Sequence, residues 1–157
     1  MKAASLKEIK LELGALHPQQ LLELCLRLAK YKKENKELLT YLLFEKIDEN
    51  QYKCNVKLLA DEMFEGVNKS SSYQAKKTIR KILRTINKYI KYSGDKQTEM
   101  DLLIYFCKKL RKTGFPLRIN SVLGNIYLRQ VQRIKKTLST LHDDLQYDYA
   151  EEIKPLL

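Results

Sequence analysis

Basic side chains recur at helical spacing in the middle of the chain, where they could bind an anionic ligand. No acidic residue lies between Glu65 and Asp95. The basic residues of this stretch that share one side of a helix are Lys77, Arg80, Lys81, Arg84, Lys88 and Lys91. This row is roughly 21 Å long, at 1.5 Å per residue. Because Lys and Arg neutralise phosphates and release condensed counterions, the row predicts polyanion binding, most simply of nucleic acid through its backbone.

A second acid-free stretch, from Leu102 to His142, predicts another basic helix. It adds Arg129, Arg133 and Lys136 to the predicted nucleic-acid-binding residues, and Lys108, Lys109, Arg111, Lys112 and Arg118 precede it. An ordinary solvated helix usually mixes Glu with Lys, since such pairs one turn apart stabilise it. The scarcity of acids therefore favours a binding face, with an anionic protein or membrane surface, or a plain solvated surface, as alternatives.

Two sharper forms of nucleic-acid binding are also open. One segment resembles a helix-turn-helix with a longer connection than usual: Leu58 to Met63, Gly66 and the helix after Ser70. In such a motif the second helix would direct Ser71, Gln74, Lys77 and Lys81 outward. Tyr73, Tyr89, Tyr92 and Tyr127 are interleaved with basic positions and could stack on bases. Tyrosine beside an apolar stripe usually buries its ring, and Tyr92 is the one that packing explains least.

No catalytic or cofactor motif is present. The chain has no GxSxG, no GxxxxGK[ST], no GxGxxG and no CxxC pair. His142 and Asp143 resemble the dipeptide of the HD-class phosphohydrolases, but His17 and Asp148 do not lie at that class's spacing. We therefore expect a non-enzymatic protein with no cofactor and no metal site.

Composition predicts an all-α fold. The chain of 157 residues is long enough for one domain, has only five Gly and three Pro, and sustains no strand-like alternation. We expect seven or eight helices in a short helical-repeat-like solenoid or an irregular bundle. The single predicted domain, 1–157, is neutral over 1–65, carries a net charge of +15 over 66–142 and ends in an acidic segment, 143–157, of net charge −4.

Capping signals give the expected helix limits. Ser5 and Glu8 begin the first helix and Gly14 ends it; Pro18 begins the second; Asn35 begins a third that runs to Ile47; and Asn55 begins a fourth that ends at Gly66. The basic helix is expected to begin at Ser70, Ser71 or Ser72 and to end at Gly94. The next helix begins with the pair Thr98 and Asp101 and ends at Gly114. A long helix over 119–141 and a short one before Pro155 complete the chain. In the basic helix, Ala75, Ile79, Ile82, Leu83, Ile86 and Ile90 form the apolar stripe.

Leu38 to Phe44 is apolar around most of the helix, which predicts a central, buried element. Two similarities suggest a duplication: Glu37 to Leu43 resembles Asp101 to Cys107, and Ile79 to Leu83 resembles Ile134 to Leu138. The first third of the chain also resembles helical-repeat (HEAT-like) proteins of uncharacterised bacterial families. That resemblance implies an interaction surface, so the alternative function is a small helical scaffold for protein–protein interaction without a nucleic-acid role.

Cysteine usage and the chain ends bear on location and regulation. Cys25, Cys54 and Cys107 are odd in number and far apart, which predicts reduced core residues and a cytoplasmic protein. The longest apolar run is far shorter than the roughly 20 residues of a membrane-spanning helix, and no signal peptide is expected. Asp143 and Asp144 are expected to begin a helix, where negative charge is favourable. The acidic end could alternatively lie across the basic face, and the oligomeric state is left open.

Overall fold

The computed structural model describes residues 2–156, which form helices and no strand, so the all-α prediction is confirmed. The eight α-helices are α1 (Leu6–Ala15), α2 (Pro18–Tyr31), α3 (Lys33–Thr40), α4 (Glu49–Glu65), α5 (Ser72–Ser93), α6 (Lys96–Lys112), α7 (Val122–Leu138) and α8 (Asp143–Ile153). A π-helical turn, Tyr41–Glu45, follows α3, and a 3₁₀ turn, Lys154–Leu156, follows α8. No helix of this described part is long and apolar enough to cross a membrane.

Within residues 2–156 the contacts define two compact units, divided after Phe44. The prediction of one domain stays a prediction. In the first unit α2 packs against α3, and the Asn35 side chain donates a hydrogen bond to the Leu28 carbonyl at 2.8 Å. The capping box of Ser5 with Glu8 and the start of α2 at Pro18 are confirmed. Asn35 is not a cap, because α3 begins two residues earlier, and α1 continues one residue past Gly14.

The prediction that Leu38 to Phe44 is well buried is wrong. Tyr41 is only 2% exposed, but Phe44 is 73% exposed and its two preceding leucines are also exposed. The backbone changes from α- to π-helix at Tyr41, which alters the direction of successive side chains. A pattern that is apolar on all sides needs neighbours on all sides, and this small unit does not supply them.

In the second unit α6 is the central helix. It packs against α4, α5 and α7, and it buries Thr98, Met100, Leu102, Leu103, Ile104, Phe106, Cys107 and Leu110. Its contacts with α8 include a hydrogen bond from the Tyr149 hydroxyl to Asp101 at 2.7 Å. The Tyr127 hydroxyl on α7 also donates a hydrogen bond to the Leu156 carbonyl at 2.8 Å, which connects α7 to the turn after α8.

The ends of α5 are confirmed and those of its neighbours are corrected. Ser71 accepts a hydrogen bond from the Gln74 amide at the start of α5, and Gly94, with φ of 67°, ends the helix in the left-handed region that glycine favours. Asp48 rather than Asn55 begins α4, and Asp95 rather than Thr98 begins α6. Thr98 is instead fully buried, and its hydroxyl donates to the carboxylate of Glu49 at 2.6 Å.

The helix pairing differs from the predicted duplication. Glu37 to Leu43 lies in the first unit, where Tyr41 is its only buried residue, whereas Asp101 to Cys107 lies in the core of the second. Two helix pairs resemble one another instead: the pair α4 and α5, and the pair α6 and α7. In both pairs the first helix begins after an Asp cap and the second begins after a Ser cap. Because a solenoid needs about three repeats, two pairs with α8 fit the predicted irregular bundle better.

Candidate nucleic-acid interface

The packing of α5 places its basic row in solvent. Ala75, Ile79, Ile82, Ile86 and Ile90 are buried along one side of the helix, which confirms the stripe except for Leu83, which is half-buried. On the opposite side Lys77, Arg80, Lys81, Arg84 and Lys91 are exposed and Lys88 is half-buried. The isoleucines therefore fix the orientation of the helix, and that orientation exposes the cations.

Helix α7 lies beside α5. The Arg133 guanidinium donates from Nη1 to the side-chain oxygen of Asn87 on α5 at 2.6 Å, and from Nε to the Glu99 carboxylate on α6 at 2.5 Å. An open cavity of about 440 Å³ lies beside this contact and is lined mainly by the end of α5 and the start of α6, with Lys91 and Arg133 among its lining residues. Arg129 and Lys136 lie one turn before and after Arg133, so the second basic row is on the side of α7 nearer to α5.

Most of the predicted residues have no partner within the described chain. Seven of them form no hydrogen bond and no ion pair, and we call them the unpaired cations: Lys77, Arg80, Lys81, Arg84, Lys91, Arg129 and Lys136. All seven are exposed. They form two neighbouring rows, which we call the α5–α7 face.

Arg133 and Lys88 differ from this set. Arg133 joins three helices through Glu99 and Asn87, so its guanidinium is engaged in holding the rows together. The ammonium of Lys88 lies 4.8 Å from the ring centroid of Tyr89 and 5.9 Å from that of Tyr92. Both residues belong to the face by position, but their charges are partly used within the fold.

The basic residues before α7 are also partly engaged. Lys108 pairs with Glu152 at 2.9 Å, Lys109 pairs with Asp61 at 2.6 Å, and Arg111 donates to the Pro155 carbonyl. Lys112 and Arg118 are exposed. This cluster therefore contributes less free charge than its sequence suggests.

Within residues 2–156, the acidic side chains of the C-terminal end form no ion pair with the cations of the α5–α7 face. Asp143 and Asp144 lie in the first turn of α8, as expected for charges that favour a helix N-terminus. Glu152 pairs with Lys108 on α6, and Glu151 pairs with Lys154. No hydrogen bond or ion pair of α8 reaches α5 within residues 2–156.

Of the four tyrosines, only one presents its ring to solvent beside the basic rows. Tyr73 is 73% exposed at the start of α5. Tyr92 packs edge-on against Tyr89 with ring centroids 5.9 Å apart, which supplies the packing that its sequence position did not indicate. Tyr127 is buried and its hydroxyl donates to the Leu156 carbonyl at 2.8 Å. For the helix-turn-helix alternative, Ser71 is occupied as a cap while Gln74 remains exposed.

Two other groups of side chains are chemically reactive: the His–Asp segment at the start of α8 and the three cysteines. His142 lies 3.4 Å from Asp144, and no cluster of three His, Cys, Asp or Glu residues within 2–156 could hold a metal ion. The prediction of three core cysteines is wrong for Cys25 and Cys54, which are exposed. Cys107 is buried, and burial raises the pKa of its thiol to about 12.

One polar cluster has no counterpart in the sequence analysis. Asp61 on α4 accepts hydrogen bonds from Tyr105 and Lys109 on α6, beside an open cavity of about 390 Å³. Partial burial raises the pKa of Asp61, but these two bonds outweigh that effect and hold the pKa below its ordinary value of 3.8. Partial burial raises the pKa of Tyr105. The cluster ties α4 to α6, and a separation of 44 residues hid the contact from local pattern analysis.

Comparison of the chain with protein families, with curated proteins and with solved structures finds no match in any of the three. The resemblance to HEAT-like repeats therefore stays a prediction.

Proposed function

We propose that this chain is a non-enzymatic binding protein whose α5–α7 face binds nucleic acid through backbone phosphates. The observation that carries the proposal is the set of seven unpaired, exposed cations on two neighbouring helices. A phosphate backbone is a regular row of negative charges, and each neutralised phosphate releases counterions. Two neighbouring rows of cations offer several such contacts without base recognition.

The arrangement of charge on α5 supports a ligand-binding role. Lys77 with Lys81 and Arg80 with Arg84 are like charges one turn apart, which destabilise a helix by a few tenths of a kcal/mol per pair. No acidic side chain on α5 offsets them. A bound polyanion would relieve this repulsion, whereas a plain solvated surface gains nothing from it.

The alternative is a helical scaffold that binds a protein partner, and the exposed leucines of residues 2–44 favour it. Such docking would depend on apolar contact and vary little with salt. A cytoplasmic location is part of the main proposal, because exposed free thiols such as Cys54 persist in a reducing compartment.

The test is a fluorescence-anisotropy titration with labelled single- and double-stranded DNA and RNA, each at two salt concentrations. We expect binding that weakens steeply as salt rises, and the preferred ligand would distinguish duplex contacts from stacking of single strands on Tyr73. Anionic vesicles serve as a comparison. Absence of binding to all four nucleic acids at low salt, or binding only to vesicles, would contradict the proposal.

A further inference from the structure

Helix α1 has an apolar side that its own molecule leaves largely uncovered. Leu6, Ile9 and Leu13 recur at three- and four-residue steps and share one side of the helix. Leu6 is 85% exposed, Ile9 is 42% exposed and Leu13 is half-buried, so this side is only partly covered; no residue of α1 is buried. An isolated helix of ten residues is marginal in water, so this one needs a partner for its apolar side.

The α2–α3 pair has an apolar groove that is also uncovered. A cavity of about 250 Å³ is lined by Cys25, Leu28, Asn35, Leu38, Leu39 and Leu42. The Asn35 amide is bonded to the Leu28 carbonyl, so the groove offers chiefly aliphatic surface. Grooves between two helices commonly bind a third, amphipathic helix through anchors spaced by three or four residues, which is the spacing that α1 carries.

Helix α1 does not lie in the α2–α3 groove of its own molecule. Leu16 and His17 join α1 to α2 in extended conformation, with ψ of 145° and 152°. No residue of α1 lines the groove, and α1 has no extensive packing against another helix of the described chain.

We propose that α1 of one molecule binds in the α2–α3 groove of a second copy, and that the exchange is reciprocal. One contact repeated by two-fold symmetry covers both uncovered apolar surfaces of each molecule, whereas a different protein in the groove would leave α1 bare. The proposal concerns residues 2–44 and is independent of nucleic-acid binding.

Cys25 lies in the groove and serves as a reporter. In a Cys54→Ser background, Leu6→Cys, Ile9→Cys and Leu13→Cys are made one at a time, with Leu11→Cys on the opposite side of α1 as the matched control. Under mild oxidation we expect a disulfide-linked dimer from at least one of the three positions, lost when Cys25→Ser is added. The proposal is overturned if none of the three forms the dimer, if Leu11→Cys forms as much, or if the disulfide closes within one molecule.

Light scattering after size exclusion gives an independent readout. The unmodified chain is expected at twice the monomer mass, Ile9→Asp at the monomer mass, and the control Leu11→Asp at twice the monomer mass. A monomeric unmodified chain at all loading concentrations, or a dimer that persists in Ile9→Asp, would overturn the proposal.

Discussion

Neutralising four of the unpaired cations should halve the salt dependence of DNA binding. The variant replaces Lys77, Arg80, Lys81 and Arg84 with Gln, which keeps good helix propensity and removes charge without adding repulsion. All four side chains are exposed and unpaired, so no hydrogen bond or ion pair within the described chain is lost. The like-charge pairs also disappear, so the free energy of unfolding should stay the same or rise slightly.

The size of the effect follows from the seven unpaired cations. If each contacts one phosphate of duplex DNA, log affinity falls with log salt at a slope of about −6, and three remaining contacts give about −3. A fourfold rise in salt would then weaken binding roughly 6,000-fold for the unmodified chain and roughly 40-fold for the variant. These two values are far enough apart to distinguish by anisotropy titration.

The control removes the same number of charges elsewhere in the second unit. Lys46, Lys112, Arg118 and Lys135 are exposed and lie outside the two rows, so their replacement by Gln should leave the slope near its original value. Equal losses in both variants would mean that net charge, not the α5–α7 face, determines binding. A four-Gln variant of the face that kept the original slope and affinity would refute the assignment of that surface.

Three further predictions concern the fold that carries this face. Gly124→Ala should lower the free energy of unfolding in urea by about 1–3 kcal/mol, because a Cβ there overlaps the backbone of the preceding loop, whereas Gly14→Ala, which has open space, should cause no such loss. In the folded protein Cys54 should react with a thiol reagent at neutral pH while Cys107, with its raised pKa and burial, should react only after unfolding; equal rates would refute the burial. Folding lowers the pKa of Asp61, so the ionised carboxylate stabilises the folded chain above pH 3.8, and this stabilisation is lost as pH falls through the lowered pKa. The urea midpoint should therefore fall less on acidification for Asp61→Asn than for the unmodified chain.

The sequence predicts α5 well because its determinants are local. Ile79, Ile82 and Ile86 set the buried side, and Ser71 and Gly94 mark the two ends within the helix's own neighbourhood. Burial of the apolar segment Leu38 to Phe44, in contrast, does not depend on local sequence alone. Its apolar pattern shows that it can be buried, but the number of neighbouring helices that pack around it is a property of the tertiary structure.

The choice of N-cap residue also depends on tertiary contacts that local sequence does not show. Asn55 and Thr98 are acceptable caps by type, yet Asp48 and Asp95 begin the two helices. Thr98 is drawn into the core by packing, where its hydroxyl bonds across to α4. For the candidate interface, local periodicity predicts which cations share a side of a helix, but it cannot identify those that a distant acid neutralises.

The distribution of acidic partners explains why the α5–α7 face remains charged. Three partly buried acids each pair with a cation from another helix: Asp61 with Lys109, Asp101 with Lys53, and Glu99 with Arg133. These pairs join α4, α6 and α7, so the chain uses its few mid-sequence acids to hold its helices together. None of them reaches the outer side of α5. Folding therefore separates the cations into a paired group that supports the bundle and an unpaired group that it leaves in solvent. A ligand that neutralised the second group would stabilise the bundle without competing for the first.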